Sequence, residues 1–172
     1  MQELLTYRII TPVIQLASKT NAIRLVELAG IPCREAYYEF DEKDLNGNHA
    51  AKAIGFPPEQ VLKTLVAKGG KNGIMVFCIP VCCELDLKKA AKAAGDKSIA
   101  LLPVKDLLNI TGYIRGGCSP VGMKKKFPTF FDEVCMLFEE IAVSAGERGH
   151  QMIIPPEALV RMVEGKLVDI IV

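Results

Sequence analysis

The sequence predicts a single α/β domain built on a mixed β-sheet, on three observations. Helical and strand-like hydrophobic periods are interspersed along all 172 residues. Two adjacent apolar runs, 61–68 and 74–80, are joined by the turn-rich Gly69-Gly70-Lys71-Asn72-Gly73, and the antiparallel hairpin this implies excludes a purely parallel sheet. No internal repeat, low-complexity tract or linker composition divides the chain, and half of its residues are hydrophobic, enough for a sizeable core.

Residues 1–18 are apolar without a period and contain Pro12, which fits an extra strand, an N-terminal helix or a start-site extension; the domain proper is placed at 19–172. Thr20 is a candidate N-cap, Ile23, Val26, Leu28 and Ala29 share one helical side, and Gly30 with Pro32 closes that helix. Ala36, Tyr38 and Phe40 alternate as a strand. Residues 49–54 read as a short helix ended by Gly55, and Pro57 and Pro58 turn the chain into the hairpin. Helical spacing over 85–94 ends at Gly95, and 103–108 is a second short helix. Strands are predicted at 129–131, 141–144 and 152–154. A helix with proline in its first turn follows over 155–163, and a final apolar strand over 167–172.

Lys and Arg total 21 against 20 Asp and Glu, which excludes a polyelectrolyte that coats nucleic acid; any nucleic-acid contact has to come from a local patch. The six cysteines, at 33, 78, 82, 83, 118 and 135, lack the dense framework of a secreted disulfide scaffold and point to a reducing cytosol. No run approaches the roughly 18 apolar residues that span a bilayer, and no leader-peptide pattern opens the chain, so the expectation is a cytoplasmic protein without membrane attachment.

The densest local signal is Thr111-Gly112-Tyr113-Ile114-Arg115-Gly116-Gly117-Cys118-Ser119-Pro120-Val121-Gly122. Its glycines let the backbone approach a ligand and can turn successive N–H groups toward an anionic oxygen, while tight turns alone would also require them. Lys124-Lys125-Lys126 follows and suits a phosphate backbone or a solvated face. Lys63, with Thr64 after it, stands at the start of an apolar strand, where an ammonium can hold a phosphate, a terminal ribose or a developing negative charge, or simply mark an edge strand. His49 and His150 have no metal-type spacing and read as surface residues, and Cys78 with Cys82-Cys83 lacks the second pair a structural zinc needs. Cys118 beside Ser119 has no visible base partner and reads as a packed thiol. Walker loops and nucleophile elbows are absent.

Val61-Leu62-Lys63-Thr64-Leu65, Leu85-Asp86-Leu87-Lys88-Lys89, Thr111-Gly112-Tyr113 with Gly116-Gly117-Cys118-Ser119-Pro120-Val121-Gly122, and Val143-Ser144-Ala145-Gly146-Glu147-Arg148-Gly149 together resemble the YbaK/ProX family of aminoacyl-tRNA deacylases. The resemblance is strongest to the YbaK-type Cys-tRNA(Pro) deacylases and runs in unbroken order from Thr20 to the C-terminus. It implies a free-standing relative of the editing domain of prolyl-tRNA synthetases, with a mixed, partly barrel-like sheet surrounded by helices and no cofactor. The family's strand lysine falls on Lys63 and its glycine-to-proline loop on Gly116, Gly117, Ser119 and Pro120. Tyr38 matches a pocket tyrosine, and Ser144, Gly146 and Arg148 match a later serine-glycine motif. The lysine and loop amides are thereby implied to position the tRNA 3′ end and the ester, and for cysteine the substrate's own thiol to attack it. Lys124, Lys125 and Lys126 would grip the acceptor stem, and a partner such as prolyl-tRNA synthetase would select the tRNA. Two departures bear on amino-acid choice: Gln151 stands where the family often has an acidic residue, and a pocket aromatic near Asn46 is absent. The other reading left open by these residues is a non-catalytic module that binds tRNA ends or nucleotides.

Overall fold

A computed structural model describes residues 18–172, so the three readings of the N-terminal extension lie outside the described residues apart from Ser18. In chain order the elements are α1 (Asn21–Leu28), β1 (Arg34–Tyr37), α2 (Gly47–Ile54), β2 (Leu62–Gly69), β3 (Gly73–Pro80), α3 (Leu87–Ala94) and β4 (Ile99–Leu101). They continue with α4 (Val104–Thr111), β5 (Thr129–Asp132), β6 (Ile141–Glu147), β7 (His150–Ile154), α5 (Pro156–Met162) and β8 (Lys166–Val168), with 3-10 turns at Pro58–Gln60 and Glu133–Leu137. No helix among them is long and apolar enough to cross a membrane.

Local chemistry sets most of the helix ends. Thr20 accepts the amide of Ile23, and Asp86 accepts those of Lys88 and Lys89. Gly55, Gly95 and Gly112 stop α2, α3 and α4 in the left-handed conformation that a side chain would resist.

The strands form two sheets. The larger has the order β4-β2-β3-β5-β8, antiparallel across β4-β2-β3 and parallel across β3-β5-β8, which is the mixed sheet the sequence predicts. Its central strand β3 is buried along most of its length, with Phe77 stacked on Phe130 at 5.2 Å. The smaller sheet, β1-β7-β6, is antiparallel. A parallel bridge between Val61 and Ala142 leans the two sheets together without closing a barrel. One core cluster, containing Ile23, Val66, Phe131 and Met152, lies between the sheets and α1, and a second, containing Phe77, Ala90 and Ile170, lies under α3.

Four elements differ from expectation. The strand foreseen on Ala36, Tyr38 and Phe40 ends at Tyr37; Tyr38 makes one further bond to the Gly149 carbonyl at 2.9 Å before the chain leaves the sheet. The edge strand β4 was not foreseen, and α4 continues to Thr111. The last strand is confined to Lys166–Val168, followed by a single bridge from Ile171 to Leu85.

Candidate active site

Where the two sheets diverge, a cleft of about 580 Å³ opens. One side of it is the first half of β2, with Lys63 and Thr64; another is the paired Ser144 and Gln151 of β6 and β7. Tyr38, Phe40 and the start of α2 form a wall, Leu101 to Leu107 the opposite one, and Arg115, Gly116 and Cys118 the lip.

The lip is built by the glycine-rich segment folding back on itself. The Thr111 hydroxyl donates to the Leu107 carbonyl at 2.8 Å and accepts the Tyr113 amide at 3.1 Å. The Tyr113 hydroxyl then donates to the Val121 carbonyl at 2.5 Å, closing the loop's base. Gly116 has φ of 85°, a conformation that favours glycine. Gly117 spends its N–H on the Ile114 carbonyl at 3.0 Å, whereas the amides of Gly116 and Cys118 have no acceptor among the described residues. Gly117 is required for a different reason: a Cβ there would stand 3.0 Å from both Cα and C of Glu147.

The β6–β7 turn supplies the other half. Ser144 Oγ accepts the Gly146 amide at 3.2 Å, which fixes a bulge where Gly146 has φ of 106° and packs against the Tyr113 ring. Arg148 donates from Nε to the Arg115 carbonyl at 2.9 Å and pairs with Glu42 at 3.3 Å, tying the turn to the lip and to the wall. Lys63 is half-buried in the cleft, and no ion pair among the described residues involves it. Gln151 is buried, and its Oε1 has no hydrogen-bond partner among the described residues. Burial pushes the Cys118 thiol up to about 12, so it faces the cleft as a neutral thiol and not as a thiolate nucleophile.

Of the residues singled out from sequence, Tyr38, Lys63, Thr64, Gly116, Ser144 and Arg148 line this one cleft. Gly117 and Gly146 sit just behind it as packing positions. Ser119 is fully buried and accepts the Val121 amide, and Pro120 faces a second, shallower depression. That depression also holds Lys125 and Lys126; Lys126 pairs with Glu164, and Lys124 donates to the Asn109 carbonyl at 3.1 Å, so the lysine run does not line the cleft. The two histidines are not alike. His49 is exposed on the cleft wall, its ring edge-on to Tyr38 at 6.4 Å, but His150 is 2% exposed, which corrects its reading as a surface residue. Sequence reasoning missed Arg115 and the Leu101 to Leu107 wall. It also missed that Phe40 supplies an aromatic side chain to the cleft. Among the described residues no group of three or more His, Cys, Asp or Glu is placed to hold a metal ion.

A model of the aminoacyl-tRNA editing domain matches residues 47–162, well over half of the chain, and spans most of the cleft. The chain belongs to the aminoacyl-tRNA editing domain family. A relative from Enterococcus faecalis, EbsC, provisionally named a Cys-tRNA(Pro)/Cys-tRNA(Cys) deacylase, is 45% identical over 152 residues, covering 88% of this chain and 93% of the relative. The proline–tRNA ligase of Fervidobacterium nodosum is 34% identical over 74 residues, 43% of this chain and 13% of the ligase. Among solved structures, a provisionally assigned trans-editing enzyme for prolyl tRNA synthetase superposes with a TM-score of 0.74 at 23% identity, covering 89% of this chain and 98% of that one. The hypothetical protein APE2540 superposes with a TM-score of 0.79 at 19% identity, covering 87% and 98%. These two establish the editing-domain fold, the mixed α/β domain expected from the sequence.

Proposed function

We propose that this editing-domain protein is a deacylase that clears mischarged tRNA in trans, with Cys-tRNA(Pro) as the first substrate to consider. One observation carries the reading. The cleft gathers a half-buried ammonium, Lys63, amides without acceptors at Gly116 and Cys118, and an orphaned acceptor, Gln151 Oε1. The name of the E. faecalis relative supports the same substrate.

The cleft's volume falls within the ~300–1,000 Å³ typical of small-molecule sites, room for an aminoacylated nucleoside but not for an acceptor helix. In the proposed complex Lys63 holds the terminal nucleotide of the tRNA beside Thr64, Tyr38 and Arg148. The amides of Gly116 and Cys118 face the ester oxygen and stabilise the charge that develops on it, and Gly117 and Ser119 hold those amides in place. The neutral Cys118 thiol takes no covalent part. With cysteine as the amino acid, its own sulfur attacks the ester carbon. A carbon–sulfur bond forms, the bond to the ribose oxygen breaks, and the thiol proton ends on the ribose hydroxyl; water then opens the thiolactone. The protein's contribution is position and polarisation. Lys124 to Lys126 would add a salt-sensitive grip on the acceptor stem, Lys126 exchanging Glu164 for phosphate. The near-neutral surface leaves the choice of tRNA to a partner, with prolyl-tRNA synthetase the natural candidate.

The test is to mix the purified protein with Cys-tRNA(Pro) and, separately, with an amide-linked cysteinyl-adenosine that cannot be cleaved. Ester loss, together with amide shifts at Gly116 and Cys118 on adding the mimic, is the expected result. Binding of the mimic with the ester left intact would overturn the deacylase in favour of a binding module.

A further inference from the structure

On the face of the small sheet turned away from the cleft, His150 is held between two carboxylates. Its Nδ1 lies 2.8 Å from Glu147 Oε1 and its Nε2 lies 2.8 Å from Glu35 Oε2. The Tyr37 ring stacks on it at 4.2 Å, and the Tyr37 hydroxyl donates to Glu35 Oε2 at 2.8 Å. The His150 side chain is only 3% exposed. Both ring nitrogens therefore have a carboxylate oxygen within hydrogen-bond distance, one from β1 and one from β6, and the ring is located from both strands at once. A buried ring with both nitrogens engaged is held more firmly than an exposed side chain.

Its position gives that rigidity a consequence. Glu147 and His150 are the two ends of the β6–β7 turn, with Arg148 and Gly149 between them. The chain enters this turn through the bulge between Ser144 and Glu147 and leaves it through Gly149 at positive φ, and the Glu147–His150 contact closes the turn across its base. The same Glu147 backbone is the surface on which Gly117 rests, and Arg148 reaches from the turn to the Arg115 carbonyl. We infer that His150, clamped by Glu35 and Glu147, is a positioning residue that sets the height of the 115–118 lip and the aim of Arg148 from the far side of the sheet. The inference rests on the deacylase reading for its kinetic consequence, though not for its structural one.

The experiment uses His150→Phe, which keeps the stack on Tyr37 and loses both hydrogen bonds, and His150→Gln, which can keep one. In His150→Phe the amides of Gly116, Gly117 and Arg148 shift and the bonded Gly117 amide exchanges faster, while those of α3 do neither. The deacylation kcat/KM falls about tenfold or more, as expected when a reacting geometry is displaced by a fraction of an ångström, with His150→Gln intermediate. In an Arg148→Ala background the same substitution costs less than in the wild type, because part of its effect runs through Arg148. Unchanged lip amides in a folded variant, or full additivity with Arg148→Ala, would overturn the inference. Moved amides in a protein without deacylase activity would leave it standing and remove the proposed function instead.

Discussion

Replacing Gly117 by alanine should separate the lip from the turn beneath it, and the size of the effect follows from the packing. The added Cβ would stand 3.0 Å from Cα and C of Glu147 and 3.1 Å from N of Arg148. Carbon atoms settle at about 3.5–4.0 Å, so relief needs a movement of roughly 0.5–1 Å. All three atoms belong to backbone, which is pinned by the β6–β7 pairing and by the His150 clamp, so the lip is the part that moves. Overpacking of this kind costs about 1–3 kcal/mol of stability. The lip amides would move away from the ester oxygen, and a misplacement near 1 Å can cost on the order of 10²-fold in rate. The assay is single-turnover deacylation of Cys-tRNA(Pro) with Tm measured in parallel. A variant that loses a few degrees in Tm yet keeps its rate within twofold would refute the assignment of the lip to catalysis. Unchanged rate and unchanged Tm would refute the contact itself.

Gln151→Leu should raise Tm, by about 1 kcal/mol or more of stability, because it removes a buried acceptor that has no partner, while raising KM if that acceptor is completed by substrate; thermal unfolding and steady-state kinetics check both. Tyr113→Phe should lose about 1 kcal/mol by deleting the bond to the Val121 carbonyl and loosen the base of the loop, read as faster hydrogen exchange at the Val121 amide, which donates to Ser119 Oγ. Burial raises the thiols of Cys118 and Cys135 from 9.0 to about 12. Their protons are therefore held more tightly in the folded state, so their contribution is constant below pH 9 and is lost as the pH rises from 9 towards 12. Denaturant titrations across that range should show the fall, and Cys118 should resist alkylation at neutral pH.

What the sequence made legible follows from the range of the interactions involved. Thr20, Gly55 and Gly95 act within one turn of their own helix, and those boundaries are readable from composition alone. Lys63 and Thr64 are singled out by the family resemblance and not by their spacing, since a lysine at the head of an apolar strand reads equally well as an edge-strand residue. Phe40 and Arg115 reach the cleft only because the loops carrying them are folded across it, Arg115 by its carbonyl bond to Arg148, 33 residues away. The burial of His150 is hidden for the same reason, since one of its two partners, Glu35, lies 115 residues earlier. The edge strand β4 pairs over only three residues and carries no alternation to detect. The lysine run at 124–126 shows the opposite limit: its charge was evident, but its engagement with Asn109 and Glu164 depends on tertiary neighbours.

The most direct test of the account is the deacylation of Cys-tRNA(Pro), Ala-tRNA(Pro) and Ser-tRNA by the wild type and Lys63→Ala at equal concentration. Losing a charge-assisted contact of about 1.5–3 kcal/mol should lower the rate of Lys63→Ala by roughly 10- to 150-fold on whichever substrate the wild type cleaves, with Cys-tRNA(Pro) expected to be that substrate. If the wild type leaves all three esters intact with prolyl-tRNA synthetase present, or if Lys63→Ala cleaves as fast as the wild type, the account of this cleft is contradicted.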